Sequence, residues 1–500
     1  MNNESIKNIV IVGGDTVGWT AAMGLARGLQ GQNVTITIIN DQLSQNLNTQ
    51  PSIISATDHI NSFHQQMGIN EQALFSQDYA KFICARQYKN WLEDKADFYI
   101  GFNTYSPAYE GLPLHQFVHY CNANEQSDYS LAAQIAINNK LLPYINKDHK
   151  HWNLFTTGVV LDTQKYGEFV KGAARHLGVN VIDSLILDVV LDEETQFVSH
   201  VILANEQTLP VDIIIDNSGS YSKIMQSVME IEFQDTGALI PFNSMLEIRT
   251  EQSNKQLNKQ PSIQLTATEN GILEEATLGG FSYKKLMCKI NENNQEDIAQ
   301  HLLLSTGLAL TERKNVIKHT LRFGHSQKFF NKNCIVIGNA AGCYSDIGIS
   351  NLVLTQRMIS RLLDCFPSKK CFVSTVNEFN RLTLNDYNEA RDFFTLHLYL
   401  SSTNKSDNKN FWIQPKSNLS RILQQKIELF ECYRRYEDEL NPMIISTRWI
   451  DLLSYCCIDS IGYEPLLEAL NKDELIRFLL KIKQDIAEKL TELSDGLSYN

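Results

Sequence analysis

The feature that most constrains this 500-residue chain is its first folded stretch, Asn8-Ile-Val-Ile-Val-Gly-Gly-Asp-Thr-Val-Gly-Trp-Thr-Ala-Ala22. Ile9 to Val12 form a short continuous apolar run, the pattern of a strand buried on both faces of a parallel sheet. Gly13 and Gly14 permit a sharp turn, and Val17, Ala21, Leu25 and Leu29 then recur at helical spacing. Strand, glycine turn and helix in that order open a dinucleotide-binding βαβ unit. Its helix N-terminus directs free N–H groups and a positive dipole end at a pyrophosphate. The candidate binding residues here are Gly13, Gly14, Asp15, Thr16, Gly18 and Trp19. Gly13 and Gly18 fit the first and third glycines of G-x-G-x-x-G, but Asp15 stands where the backbone should approach the phosphates. A carboxylate ~4 Å from a phosphate charge costs about 4 kcal/mol at an effective dielectric of 20, nearly a thousandfold in affinity.

The next strand, Asn33 to Asn40, ends where a nucleotide unit places an acidic residue for the ribose hydroxyls. Asn40 can accept a hydrogen bond there but lacks the charge. Further buried strands are expected at Val211 to Gly219 and Cys334 to Gly342, with a hairpin from Ser184 to Leu203 and a helix near Ile349 to Cys365. From Asn377 the pattern is helical almost to the end. The layout is α/β: a Rossmann-like module with an interleaved β-rich region over residues 1–375, then a helical C-terminal subdomain over 376–500.

Composition narrows the function classes. A net charge of −13 argues against a nucleic-acid partner, which needs a basic surface. No run of 18 apolar residues exists and the N-terminus leads straight into a strand, so neither a membrane span nor a signal segment is expected. The ten cysteines are scattered without C-x-x-C spacing, which suits reduced thiols in the cytoplasm. The histidines form no metal-ligand cluster, and no metal is expected.

Taken in order, these segments resemble the flavin-dependent tryptophan halogenase family, a branch of the FAD-dependent monooxygenases, over nearly the whole chain. Ile9 to Ala22 match the family's G-G-x-T-x-G-W opening. Asn90-Trp91, Gly111-Leu-Pro-Leu114, Asp216-Asn-Ser-Gly219, Arg322-Phe-Gly324 and Asn333-Cys-Ile-Val-Ile-Gly-Asn-Ala-Ala-Gly342 fall where expected. So do Arg391-Asp-Phe393, His397 and Phe411-Trp412. The resemblance implies an FAD-binding module with a β-rich substrate region, FAD as cofactor, a partner flavin reductase, a small aromatic substrate and a homodimer. It also implies a chemistry: reduced FAD and oxygen give a hydroperoxide, halide converts it to hypohalous acid, and the acid crosses a tunnel to the substrate. A lysine then holds the oxidant, and a glutamate stabilises the cationic ring intermediate. Gly338 and Asn339 would face the flavin, and Ser350 matches a halide-side Ser or Thr, although a helix N-cap explains it equally well.

This sequence departs from the family at both catalytic positions. The lysine falls on Ile83, and the glutamate falls on Gly348 within Ser345-Asp-Ile-Gly-Ile-Ser350. The family's W-x-W-x-I-P segment has no counterpart in Glu269 to Leu278, nor its G-x-G-E loop in Gln50 to Ile53. Lys81 and Asp346, each two residues earlier, are weak stand-ins. On a strand Lys81 would share the face of Ile83 roughly 7 Å away, and an error of ~1 Å can already cost about 100-fold. As surface charges both read more simply. His397 and Trp412 read as structural, and Trp449 as either pocket or core. The expectation is a halogenase-fold protein that no longer halogenates: a pseudoenzyme, or a binding or regulatory relative. The alternatives are an FAD-dependent monooxygenase or halogenase with rearranged catalytic residues, and a binder of another nucleotide or small metabolite.

Overall fold

The fold is described from a computed structural model covering residues 4–40, 51–56, 59–92, 96–102, 107–122, 126–140, 157–251, 262–306, 315–403, 418–437 and 442–493. Phe411 and Trp412 lie outside the described residues. The chain forms two compact units, each assembled from three segments: residues 1–79, 161–243 and 319–390, and residues 80–160, 244–318 and 391–500.

The first unit is built on a six-stranded sheet. Its elements are β1 (Asn8–Val12), α1 (Thr16–Gly28), β2 (Thr35–Ile39), α2 (Thr163–His176), β3 (Asn180–Ile182), β4 (Ile213–Asp216), β5 (Phe330–Asn331), β6 (Cys334–Val336) and α3 (Asn351–Asp364). The strand order is β3-β2-β1-β4-β6-β5. All neighbours are parallel except the β5 edge strand, with Ile11 opposite Ile38 and Ile215, and Ile182 opposite Ile39. Ile9 to Val12 and Ile213 to Ile215 are buried, as a sheet covered on both faces requires. Asp15 caps α1, and Thr16 Oγ1 donates to the Thr163 carbonyl at the start of α2 at 2.9 Å. The hairpin is present as Ile186–Leu191 against Val198–Leu203.

In the second unit, strands run in the order Ser244–Glu251, Phe281–Cys288, Gly271–Leu278, Ser262–Ala267, Ala85–Lys89, Phe98–Gly101. One face carries Leu246, Ile248 and Leu286 onto the helix Gln295–Thr306. The C-terminal helix Lys472–Thr491 presents Leu475, Leu479, Ile482 and Ile486 to Phe117, Leu131 and Ile135 of two short helices. Its apolar stripe at helical spacing is what makes this segment legible as helix.

Candidate functional site

In the first unit the chain leaves the carboxyl ends of five parallel strands at one edge of the sheet. Strand order reverses between β1 and β4, the topological switch point at which open α/β sheets bind ligands. Gly13 follows β1 with φ +107°, and a Cβ on it would lie 2.2 Å from the Asn217 carbonyl oxygen beyond β4. A Cβ on Gly18 would lie 1.9 Å from the Gly13 carbonyl oxygen. Both glycines are therefore demanded by packing of the turn against its own chain, whatever the turn binds.

The polar side chains around this turn are engaged with one another. Asp15 Oδ1 accepts from the Gly18 N–H at 2.9 Å and from Asn217 Nδ2 at 2.7 Å. Asp15 is thus where the sequence placed it, at the helix start, with its carboxylate on the helix N–H groups. Asn40 lies over the turn, its Oδ1 2.4 Å from where a Gly14 Cβ would be, and its Nδ2 donates to Asp183 Oδ1 at 2.6 Å. Asp183 is the residue after β3, exposed and beside Asn40 because Ile182 pairs with Ile39. Gly338 follows β6 with φ +58°, and Asn339 Oδ1 accepts from Asn351 Nδ2 at 2.5 Å. Ser350 caps α3 through the Val353 N–H at 3.4 Å, and Trp19 is buried in α1 beneath the Lys171 ammonium, 5.7 Å away.

This arrangement meets half the needs of a flavin dinucleotide. The glycine turn and helix are present, yet the anion site at the helix N-terminus is filled by a carboxylate pinned from two sides. A diphosphate would have to displace it, against two hydrogen bonds and its charge. As it stands, the phosphate subsite does not fit FAD.

Gly348 lies in the tight turn Asp346-Ile347-Gly348 between Ser345 and Ile349, its N–H donating to the Ser345 carbonyl at 3.0 Å. It offers no side chain, and Asp346 in the same turn accepts through its backbone carbonyl from Ser55 Oγ at 3.5 Å.

In the second unit, Ile83 closes the strand Ala80–Ile83 and is 1% exposed. Lys81, on the same strand, is partly buried and donates to Thr277 Oγ1 at 2.9 Å. Burial pushes its ammonium from 10.5 down to about 8. Among the described residues no acid faces it within ion-pair distance. It is not the solvated surface charge that the sequence suggested.

Elsewhere the motif residues hold structure. Trp91 Nε1 donates to the Leu265 carbonyl at 2.9 Å. His397 Nδ1 donates to the Phe393 carbonyl at 2.8 Å, so its Nε2 accepts from Tyr88 Oη at 2.9 Å. Burial holds this imidazole neutral, lowered to about 3, with the Arg86 and Arg448 charges acting the same way. Trp449 is fully buried, edge-on to Phe393 at 4.9 Å. Asp216, fully buried, accepts from the Ser218 N–H and Oγ, Ser222 Oγ and the N–H groups of Ile224 and Met225. His115 and His119 stand four apart on the helix Leu114–Tyr120, and Arg434 Nη2 donates to His119 Nε2 at 3.3 Å. Sequence reasoning missed Asp183, Asn217 as the holder of Asp15, and Thr277. The first was readable: β3 is parallel to β2, so the residue after it must stand beside Asn40.

Residues 8–472 match the family model described as tryptophan halogenase. Tryptophan 7-halogenase KtzQ of Kutzneria sp. (strain 744) is 22% identical over 504 residues, spanning 93% of this chain and 91% of that protein. Tryptophan 6-halogenase SttH of Streptomyces toxytricini is 20% identical, spanning 86% and 84%. Among solved structures, BrvH, a flavin-dependent halogenase from Brevundimonas sp. BAL3, superposes with a TM-score of 0.86 at 21% identity, covering 98% of each chain. Xcc4156, a flavin-dependent halogenase from Xanthomonas campestris, gives 0.87 at 21% identity, covering 98% of this chain and 97% of that one.

Proposed function

The chain belongs to the tryptophan halogenase family, and from that membership we propose that it is a relative that has kept the scaffold, lost halogenation and serves as a ligand-binding protein. The observation that carries this reading is Ile83. Where the family resemblance places a lysine, the strand ends in an apolar side chain 1% exposed, which can neither donate a hydrogen bond nor carry charge. Gly348, where the resemblance places a glutamate, has no side chain at all. Halogenation of an arene needs a cation with N–H donors at one point and an anion at another.

The test is an assay with FAD, NADH, a flavin reductase, chloride or bromide, and tryptophan, indole or a phenol. The reductase is included because flavin-dependent halogenases take reduced flavin from such a partner. The expected result is no halogenated product above a control without the protein; product above that control overturns the reading. Ile83→Lys combined with Gly348→Glu is expected to stay inactive as well, because groups that act as a unit are not recovered piecemeal.

One observation favours a second reading, an FAD-dependent halogenase or monooxygenase with rearranged residues. Lys81 is a partly buried amine lowered to about 8 with a neutral hydroxyl for its partner. Its position resembles a functional lysine more than a structural one. Product formation by the wild type that Lys81→Met abolishes, with the variant still folded, would select this reading over the first.

A further inference from the structure

In the second unit a buried arginine meets two histidines of one helix. Arg434 ends the helix Arg421–Tyr433 in a left-handed conformation, φ +54°, with its N–H on the Phe430 carbonyl at 2.9 Å. Its side chain is buried, 3% exposed, and Nη2 donates to the carbonyls of Cys457 and Ser460, each at 2.9 Å. Cys457 follows the helix Ser446–Cys456, so the Arg434 N–H closes one helix and its guanidinium the next, where a cation suits the negative end of the dipole. Among the described residues no carboxylate pairs with Arg434; Glu431, on its own helix, acts on it at longer range. The same Nη2 reaches His119 Nε2 at 3.3 Å, and His119 stands on a third helix, Leu114–Tyr120. A guanidinium only donates, so this bond exists only while Nε2 carries no proton. One turn earlier, His115 is buried against the Phe430 ring, 5.9 Å between centroids, and its ring nitrogens make no hydrogen bond.

The surroundings hold both imidazoles neutral. Burial lowers the pKa of His119 and the Arg434 charge lowers it further, against the Ser460 carbonyl, which raises it. Burial pushes His115 down to about 4, with the Arg434 charge acting the same way and the Arg434 carbonyl against it. From the other elements, Glu431 and the Cys457 thiol face Arg434. Asp459 is exposed, Lys472 lies over the Tyr120 ring at 4.9 Å, and Arg435 is paired with Glu464. Both histidines are thus held below the 6.5 of an exposed imidazole, so the closed corner is fully favoured above pH 6.5 and loses ground as pH falls. We propose that His119 is an acid-sensitive latch: neutral, it holds the helix Leu114–Tyr120 to the Arg434 corner; protonated, it gives up the bond, repels the guanidinium and lets the helix separate from residues 457–460. Separation also wets His115, which then takes a proton in the same range and favours the open form. The latch does not depend on what the chain binds or catalyses.

The experiment is hydrogen exchange of the full chain at pH 7.5 and 5.5, read by mass spectrometry and corrected for the intrinsic pH dependence of exchange. An imidazole that titrates near 6.5 only in the open corner favours opening about 10-fold at pH 5.5. Peptides covering residues 114–122 and 457–463 are therefore expected to lose protection by about that factor or more, while the six-stranded sheet of the first unit keeps its own. His119→Gln supplies an amide oxygen that accepts from Arg434 and does not titrate. Its acid opening is expected to shrink to the share that His115 contributes, and with His115→Phe added to vanish. His119→Lys places a lasting cation at the latch and is expected to open both peptides at pH 7.5. Wild-type protection that is the same at both pH values overturns the proposal, as does acid opening of wild-type size in His119→Gln. Loss of protection throughout the chain at pH 5.5 also overturns it, because the event is then global unfolding and not the release of one helix.

Discussion

The turn after β1 and the strand Ala80–Ile83 handle their polar groups in opposite ways. At the turn the polar side chains are tied to one another: the Asp15 carboxylate is held by the Gly18 N–H and the Asn217 amide, and Asn40 is joined to Asp183 beside them. At the strand the end position is apolar. Ile83 is packed and apolar, and the amine that remains, Lys81, hydrogen-bonds a threonine. The difference teaches that fold-bearing and chemistry-bearing residues can part company within one chain. Asp216 and Trp91 each satisfy buried partners that no substitute of another shape would satisfy. The Ile83 side chain contributes packing alone and Gly348 contributes only its backbone, so neither supplies a polar side-chain group to the fold.

That contrast is broken most directly at Asp216. Its carboxylate answers three backbone N–H groups and two hydroxyls with none of them exposed to water. Asp216→Ala is expected to cost about 4 kcal/mol, since it strands buried donors that the charge had compensated. Chemical denaturation followed by far-UV circular dichroism measures it. A cost below about 1 kcal/mol would mean that the turn after β4 is not held by this residue, and the separation of framework from chemistry would lose its firmest example.

How far the sequence disclosed all this depends on what kind of signal each part carries. The α/β class, the glycine turn, the hairpin and the C-terminal helices were legible because burial on both faces, glycine placement and helical spacing are local patterns. Asp15 was legible too, as a misfit in a glycine series. The second unit's sheet was not, because its strands from Ser244 to Cys288 alternate charged and apolar residues whose charges are buried in pairs. Lys285 Nζ, for one, lies 2.9 Å from Glu274 Oε1 with both side chains nearly inaccessible. Nor could Lys81 be placed: its environment is set by Thr277, almost two hundred residues away. Asp183 sits between these cases, invisible to a scan along β2 and evident once β3 is laid beside it.

Lys81 gives a sharper and slightly smaller effect. Its ammonium titrates at about 8 in the folded chain and at 10.5 when exposed. Below pH 8 both states are protonated and the folded state carries the full cost of burying the charge, at most about 3 kcal/mol for a shift of this size. As pH rises from 8 to 10.5 the unfolded chain holds the proton that the folded one has released, so wild-type stability climbs through that window. Lys81→Met is therefore expected to be the more stable protein at pH 7 by one to three kcal/mol, with the advantage shrinking above pH 8. Paired denaturation curves at pH 7 and pH 9.5 test it. An equal difference at both values would show a lysine in ordinary contact with water.

The smallest expected effect lies where the retained motifs meet. Tyr88→Phe removes the hydroxyl that donates to His397 Nε2 and leaves the rings stacked, with centroids 5.8 Å apart in the wild type. The hydroxyl also hydrogen-bonds the buried Arg86 side chain, so both that donor and the His397 acceptor are left behind, and a loss of about 2 kcal/mol is expected. The pH profile separates this from a charge effect. His397 stays neutral in the fold down to about pH 3, while an exposed imidazole takes its proton near 6.5. Stability conferred by keeping the ring neutral is thus present above pH 6.5 and lost as pH falls toward 3, in wild type and variant alike. The difference between the two proteins should be flat from pH 6.5 to 9, because neither partner changes protonation in the fold over that range. A difference that grows on acidification from pH 8 to 6.5 would mean that His397 is charged near neutrality and that the hydroxyl had been holding its proton off. The buried motif would then be a titrating site and not part of the framework, and the line drawn between the two kinds of residue would have to move to include it.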